Sequence, residues 1–353
     1  VPSVRAIASQ LNVSPATISR VLNSHPNVDE ATRRRVLSRI NELGYAPRIG
    51  RRITNVIALA YPEEPVWGEY GAFEPALLAG IMRGLEARQF DLKLLSIRRD
   101  KAPGETFTQF FLRKGIRGVI LRSFRDNRPT ICQIAAEGFP SIVVSDEFAE
   151  PDVNFIRADS YPSSRQAVEH LIGLGHRRIG LAIHDVPDTD HADRRRAYGD
   201  ALLAAGIRVD PALVIEMPAS LSSGEWALDT LTSRDDPATA IFATNPMTAL
   251  GIMRRARERG IDVPRELSVI GIDDSDVRAH VWPRLTSVTQ DAALLGMEAA
   301  VWLTHAIASS SPRTSCRRTI DTRFEINGTT GAVGRRARRR KSAADTPGRG
   351  LRR

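Results

Sequence analysis

Between Asn55 and Ala308 the chain alternates short runs of β-branched and aliphatic residues with amphipathic stretches of helix length, and this alternation limits its possible folds more than any other feature. The runs fall at 55–60, 92–97, 118–121, 141–144 and 155–158, then at 179–183, 213–215, 240–243, 267–272 and 286–289, with a last at 316–326. The spacing predicts helices over 75–88, 104–114, 129–137, 160–174, 191–205, 223–232, 247–259 and 291–308. Strands separated by helices of that length form βαβ units, and so parallel sheets covered on both faces. The rhythm runs in two blocks. It predicts an α/β protein with two doubly wound parallel-sheet subdomains and a cleft between them.

Residues 1–47 have a different texture and predict a small all-α domain. Val4, Ile7, Ala8 and Leu11 repeat at helical spacing. Asn12 suits the left-handed turn that follows. Ser14 is a candidate N-cap and Pro15 fits the first position of a second helix, Pro15–Asn23. Asp29 can cap a third helix, Glu30–Leu43, which Gly44 ends. A helix, a tight turn, a second helix and a packing helix make a helix-turn-helix unit.

Charge is unevenly placed. Of 50 Lys+Arg against 41 Asp+Glu, nine arginines and three acids fall within residues 1–55. Eight arginines, Lys341 and the single acid Asp345 fall within 331–353, which leaves the body mildly acidic. A basic head and tail around an acidic body predict a polyanionic partner. The tail, 331–353, has nothing to bury and is expected to be disordered. Cys132 and Cys316 make neither a disulfide framework nor a metal-ligand spacing. No apolar run is long enough to cross a membrane and no signal peptide is legible, so no membrane partner and a cytoplasmic, nucleoid-associated protein are expected.

Phosphate-loop, dinucleotide, nucleophile-elbow, zinc-helix and CxxC motifs are missing, so no catalytic residue, metal or cofactor is expected. His184, Asp185, Asp188, Asp190 and His191 form one polar cluster. Their spacing fits no helix face or hairpin, and it is read as a loop above a strand end. Asp273 and Asp274 are adjacent and should point to opposite sides, which argues against a shared proton.

The stretch SVRAIASQLNVSPATISRVLN (3–23), followed by VDEATRRRVLSRINELGYAP, resembles the LacI/GalR family of bacterial transcription regulators. The resemblance continues through HLIGLGHRRIG (170–180), AIFATNPMTALG (240–251), VPRELSVIGIDD (263–274) and PRLTSVTQD (283–291). It implies a DNA-binding head on a body like a periplasmic sugar-binding protein, with one subdomain from about 55–158 and 290–326 and the other from about 159–289. It also implies a homodimer on a pseudopalindromic double-stranded operator, most often a repressor, controlled by a small effector that is by default a carbohydrate. Family position makes Arg20 a base contact and makes Thr17, Ser19, Asn23 and Asn27 contacts to phosphate or nearby bases. Beside the capping Ser14, Pro15 and Ala16 share the face of Arg20 and can offer only van der Waals contact, for instance to a thymine methyl. In the body, Arg194, Asn245 and Asp273 match the family's effector contacts, with Arg195 as an alternative to Arg194. Pro246 and Ala219 depart from the pattern. The cleft loop 62–75 is long enough to bring Trp67, Tyr70 or Phe73 over the ligand. A stand-alone solute-binding protein would need the head to be idle, and an enzyme on this fold would need a constellation the sequence lacks.

The linker, 48–54, departs most. Gly50 opposes a helix there, and Ile49 and Ile53 are out of register with the family's minor-groove wedge. An extended linker is expected, with Arg51 and Arg52 on phosphates or in a narrow minor groove.

Overall fold

The computed structural model describes residues 4–22, 28–29, 31–33, 35–36, 39, 55–61, 73–123, 127–186, 188–274, 276–309 and 315–333. The linker, the first cleft loop with Trp67 and Tyr70, and the tail beyond residue 333 lie outside the described residues.

In the head, helices Val4–Leu11 and Pro15–Leu22 meet across a turn in which Asn12 takes φ 51°. A short polar side chain tolerates that left-handed backbone where a β-branched one would strain. Ser14 Oγ accepts from Thr17 N at 3.0 Å and closes the start of the second helix. Asp29 Oδ1 accepts from Thr32 N at 2.9 Å, and residues 31–33, 35–36 and 39 are helical. Ile7, Ala8, Ile18, Val21 and Val36 form the core of this unit, with Leu11, Val13 and Val28 against it. Arg39 Nε donates to Gln10 Oε1 at 3.1 Å and ties the third helical segment to the first.

The body has two sheets. The first contains β1 (Val56–Tyr61), β2 (Asp91–Ser96), β3 (Gly118–Arg122), β4 (Ser141–Val144), β5 (Phe155–Asp159) and β11 (Arg317–Asp321), in the order β11-β5-β4-β3-β1-β2. The second contains β6 (Ile179–His184), β7 (Val214–Met217), β8 (Ala240–Ala243), β9 (Ser268–Asp273), β10 (Thr286–Thr289) and β12 (Arg323–Glu325), in the order β12-β10-β9-β8-β6-β7. Strand pairing is parallel except between β10 and β12. The central strands are buried along their whole length, as sheets covered on both faces require. Helix Phe73–Glu86 packs on helix Ala292–Ala308 so closely that a Cβ on Gly80 would stand 1.8 Å from Ala293 O, and one on Gly296 2.3 Å from Leu77 O. Side-chain-free positions on both helices let the backbones touch.

The expected strand at 316–326 is two strands, and the first subdomain does not reach residue 326. The chain crosses at Thr322, so β11 closes the first sheet and β12 lies in the second. Thr322 Oγ1 donates to Asp159 O at 2.6 Å, which ties this crossing to the one after β5. The tail is also ordered further than expected. Gly331 N donates to Ser268 Oγ at 3.1 Å and Val333 N to Leu174 O at 3.0 Å. Backbone groups find partners there although the side chains are small, and the expected disorder from 331 is corrected to that extent. The helix expected from 191 begins at Thr189, because Asp188 caps it with a bond from His191 N at 2.8 Å.

Candidate functional site: an exposed helix face and a closed cleft

On helix Pro15–Leu22 the buried side is Ile18 and Val21, which leaves Pro15, Ala16, Ser19 and Arg20 exposed on one face. Positions i, i+1, i+4 and i+5 line one side of a helix. Thr17 is half-buried, and its hydroxyl lies 2.8 Å from Ser14 Oγ. Ser14 and Thr17 therefore hold the helix start, and Arg20 presents a free-standing fork donor. Asn23, Asn27, Arg51 and Arg52 lie outside the described residues.

The second constellation sits between the subdomains. Phe73, Glu74, Arg122 and Ser145 from the first face His184, Asp188, Asp190, His191, Arg194, Asn245 and Asp274 from the second, with Gln290 at the crossing. They enclose a cavity of about 60 Å3, room for about two waters. The cleft is shut. Asp146, fully buried after β4, accepts from Thr189 N and Oγ1 at 3.1 and 2.7 Å, and Arg157 on β5 reaches Asp193 at 2.9 Å. Both contacts join the first subdomain to helix Thr189–Ala204.

Arg194, 3% exposed, donates to Thr244 O at 2.9 Å and Gln290 Oε1 at 3.1 Å. Arg195 points outward to Glu216 and does not line the cavity. Asn245 lines the cavity while its Oδ1 caps helix Pro246–Glu258 from Met247 N at 2.8 Å. Phe73 also lines it, with the Arg122 guanidinium 4.6 Å over its ring. Arg122 is itself held by Glu74 at 2.8 Å, and Tyr61 donates to the same carboxylate at 2.8 Å.

Asp273 is a correction. Its carboxylate turns away from this cavity, accepting from Val277 N at 3.0 Å, Arg278 N at 3.2 Å and Arg278 Nη1 at 2.7 Å. Asp274 faces the cavity instead, as alternation at the strand end requires. The cluster His184–His191 does lie above the end of β6, yet most of it forms the cavity wall: helix Thr189–Ala204 starts early enough to aim Asp190, His191 and Arg194 inward. Arg122, Glu74, Ser145 and Gln290 carried no legible signal, since each depends on a neighbour from a distant strand.

Burial dominates the electrostatics. It lifts the Asp274 carboxyl to about 6 against the Gln290 amide, which donates at 2.5 Å. It holds Asp190 well above the carboxylate range despite Arg194. Burial also pushes Asp188 upward, but the His191 ring at 2.7 Å, the His191 backbone N–H and Arg194 together outweigh it, and the net shift is downward. His184 is pushed down to about 4 by burial and then by His191.

Matches to known proteins follow the same division. Residues 3–48 match the bacterial regulatory proteins of the lacI family, and residues 168–330 match the periplasmic binding protein-like domain. The transcriptional regulator MalR of Streptomyces coelicolor is 31% identical over 319 residues, 86% of this chain and 90% of that protein. DegA of Bacillus subtilis is 30% identical over 303 residues, 83% of this chain and 87% of that protein. The chain belongs to the LacI family of transcription regulators. Among solved structures, a complex of the regulator CelR with cellobiose is similar at a TM-score of 0.67 and 29% identity, covering 93% of this chain and 100% of that one. A LacI family regulator from Enterococcus faecium with bound ribose has a TM-score of 0.67 at 25% identity, covering 78% and 99%. This LacI-family chain thus joins a DNA-binding head to a periplasmic-binding-protein-like body.

Proposed function

We propose that this regulator is a repressor that binds a pseudopalindromic operator as a homodimer and is controlled by a sugar or sugar derivative held between the subdomains. The observation that carries the effector site is the cavity itself, walled by buried polar side chains from both subdomains. A ligand that touches both walls stabilises one arrangement of the subdomains over another, which is what differential binding demands. CelR with cellobiose and the Enterococcus faecium regulator with ribose support a carbohydrate. The effector contacts are Arg194, Asp190, Asp274 and Asn245, with Phe73 at the edge.

Arg20 reads a guanine edge, Pro15 and Ala16 offer apolar contact, and Ser14, Thr17, Ser19, Asn23 and Asn27 position the head on the backbone. Arg51 and Arg52, and the basic tail, add sequence-independent affinity. Trp226 and Trp282, large and exposed on the second subdomain, suit burial against a second copy. The protein acts at the nucleoid, as a binding protein and not an enzyme. Gel-shift titration with DNA upstream of its own locus, with and without sugars, tests the reading. A sugar should release a retarded complex of two copies per operator; retardation of random DNA to the same degree would overturn it.

A further inference from the structure

The cleft holds more carboxylate than its cations neutralise. Glu74, Asp188, Asp190 and Asp274 share the cavity with Arg122 and Arg194. Arg122 is committed to Glu74 at 2.8 Å, and Asp188 to the His191 ring at 2.7 Å. Arg194 spends its terminal nitrogens on uncharged acceptors, Thr244 O, Gln290 Oε1 and Ser160 Oγ. Asp274 meets the uncharged amide of Gln290. Three buried polar atoms of residues that line this one cavity have no hydrogen-bond partner: Ser145 Oγ, Asp190 Oδ1 and Arg194 Nε. Their residues are 5%, 3% and 3% exposed, so solvent does not serve them. Buried polar atoms left unpaired are costly, and such atoms mark where a ligand's own groups belong.

We propose that the effector is a polyol bearing a protonated amine, an amino sugar or aminocyclitol by class, with its ammonium on Asp190 and its hydroxyls on Ser145 Oγ and Arg194 Nε. This rests on the cleft being the effector site, as proposed above. A phosphorylated or acidic effector would set a further anion beside Asp190 and Asp274 in a medium that screens poorly. A neutral sugar leaves Asp190 to be neutralised by a proton. Burial favours that proton, against Arg194 on the same helix, Arg157 from β5 and Arg122 from β3, and with the help of Asp188 at the helix cap. Asp274 stands the same way among Gln290, Arg194, Asp273 and His191. An ammonium takes the place of the proton and adds directed hydrogen bonds. The cavity is too small for a sugar while the subdomains are shut, so the ligand enters when the Asp146–Thr189 and Arg157–Asp193 contacts part.

Titration calorimetry of the full chain at pH 7.5 tests this, using monosaccharides and cyclitols in matched amine, hydroxyl, N-acetyl and phosphate forms. At least one amine should bind about tenfold or more tighter than its hydroxyl and N-acetyl counterparts. Repeating it in buffers of different ionisation heat should show net proton release. Asp190→Asn should bring the amine down to the affinity of its hydroxyl form, and Asp274→Asn should weaken the preference in part. A neutral or phosphorylated form that binds as tightly as the amine overturns the amine proposal and leaves the cleft reading intact. Binding by no form of any scaffold overturns both. An amine preference that survives both substitutions places the ammonium elsewhere and overturns the assignment to Asp190.

Discussion

The head and the cleft present their polar side chains in opposite ways. The reading face of the head is set by one short helix: Ile18 and Val21 face inward, and the same turn therefore puts Pro15, Ala16, Ser19 and Arg20 outward. Its side chains are exposed to solvent. The cleft buries its polar groups and draws them from the ends of β3, β4, β6 and β9, from three helices, and from Gln290 at the crossing after β10. A change in the head is felt locally, whereas a change in the cleft shifts charges that several elements share. The head can thus lose specificity without loss of fold, while cleft substitutions alter stability and ligand affinity together.

The largest expected effect comes from breaking the head as a unit. Ile18 is fully buried in a core of five residues, and Ile18→Ala should cost about 3–4 kcal/mol. That is most of what so small a core supplies. Operator binding should vanish in a gel shift while calorimetric melting of the body stays put; a body transition that moves with it would mean the two regions are not separate.

Asp273→Ala probes the correction in the cleft. It strips a carboxylate, 1% exposed, from Arg278, which keeps Glu325 at 2.8 Å. A loss of about 2–3 kcal/mol of stability is expected from the hydrogen bonds that Val277 N, Arg278 N and Arg278 Nη1 give this carboxylate. Effector affinity should change far less than in Arg194→Ala. Equal losses of affinity would return Asp273 to the binding site.

Arg20→Ala sharpens the contrast from the DNA side. A guanine contact is worth about 2 kcal/mol of discrimination, roughly 30-fold. Non-specific, salt-dependent binding should remain, since the phosphate contacts survive. Parallel loss on operator and random DNA would show that Arg20 binds phosphate.

The smallest effect is in Asp274→Asn. Burial raises this carboxyl to about 6, so folding takes up a proton, and its contribution to stability falls as the pH rises from about 4 to about 6. His184, lowered to about 4, works the other way: its contribution is complete above its ordinary range and fades as the pH falls toward 4. The two oppose each other in the same window. Removing the acid should raise stability at pH 7.5 on the order of 1–2 kcal/mol and change little at pH 4; a uniform shift across pH would show that the Asp274 carboxyl titrates alike in the folded and unfolded chain.

The order of strands and helices, the turn at Asn12, the caps at Ser14 and Asp29, and the choice of reading face are local matters. They follow from period, capping and backbone preference within a few residues, and the amino-acid sequence alone determined them. That Arg194 faces the cleft was legible too, through its motif. Three things were decided only by the assembled body. The segment 317–325 splits between two sheets because both have an open edge beside the crossing at Thr322. Asp274 faces the cavity and not Asp273 because Arg278, folded back beside Glu325, claims the first carboxylate. Finally, Asp190, Ser145 and Arg194 present unpaired atoms to one space because two subdomains close over them. Burial and charge pairing are sums over neighbours brought from far along the chain, and those neighbours are known only once the sheets are in place.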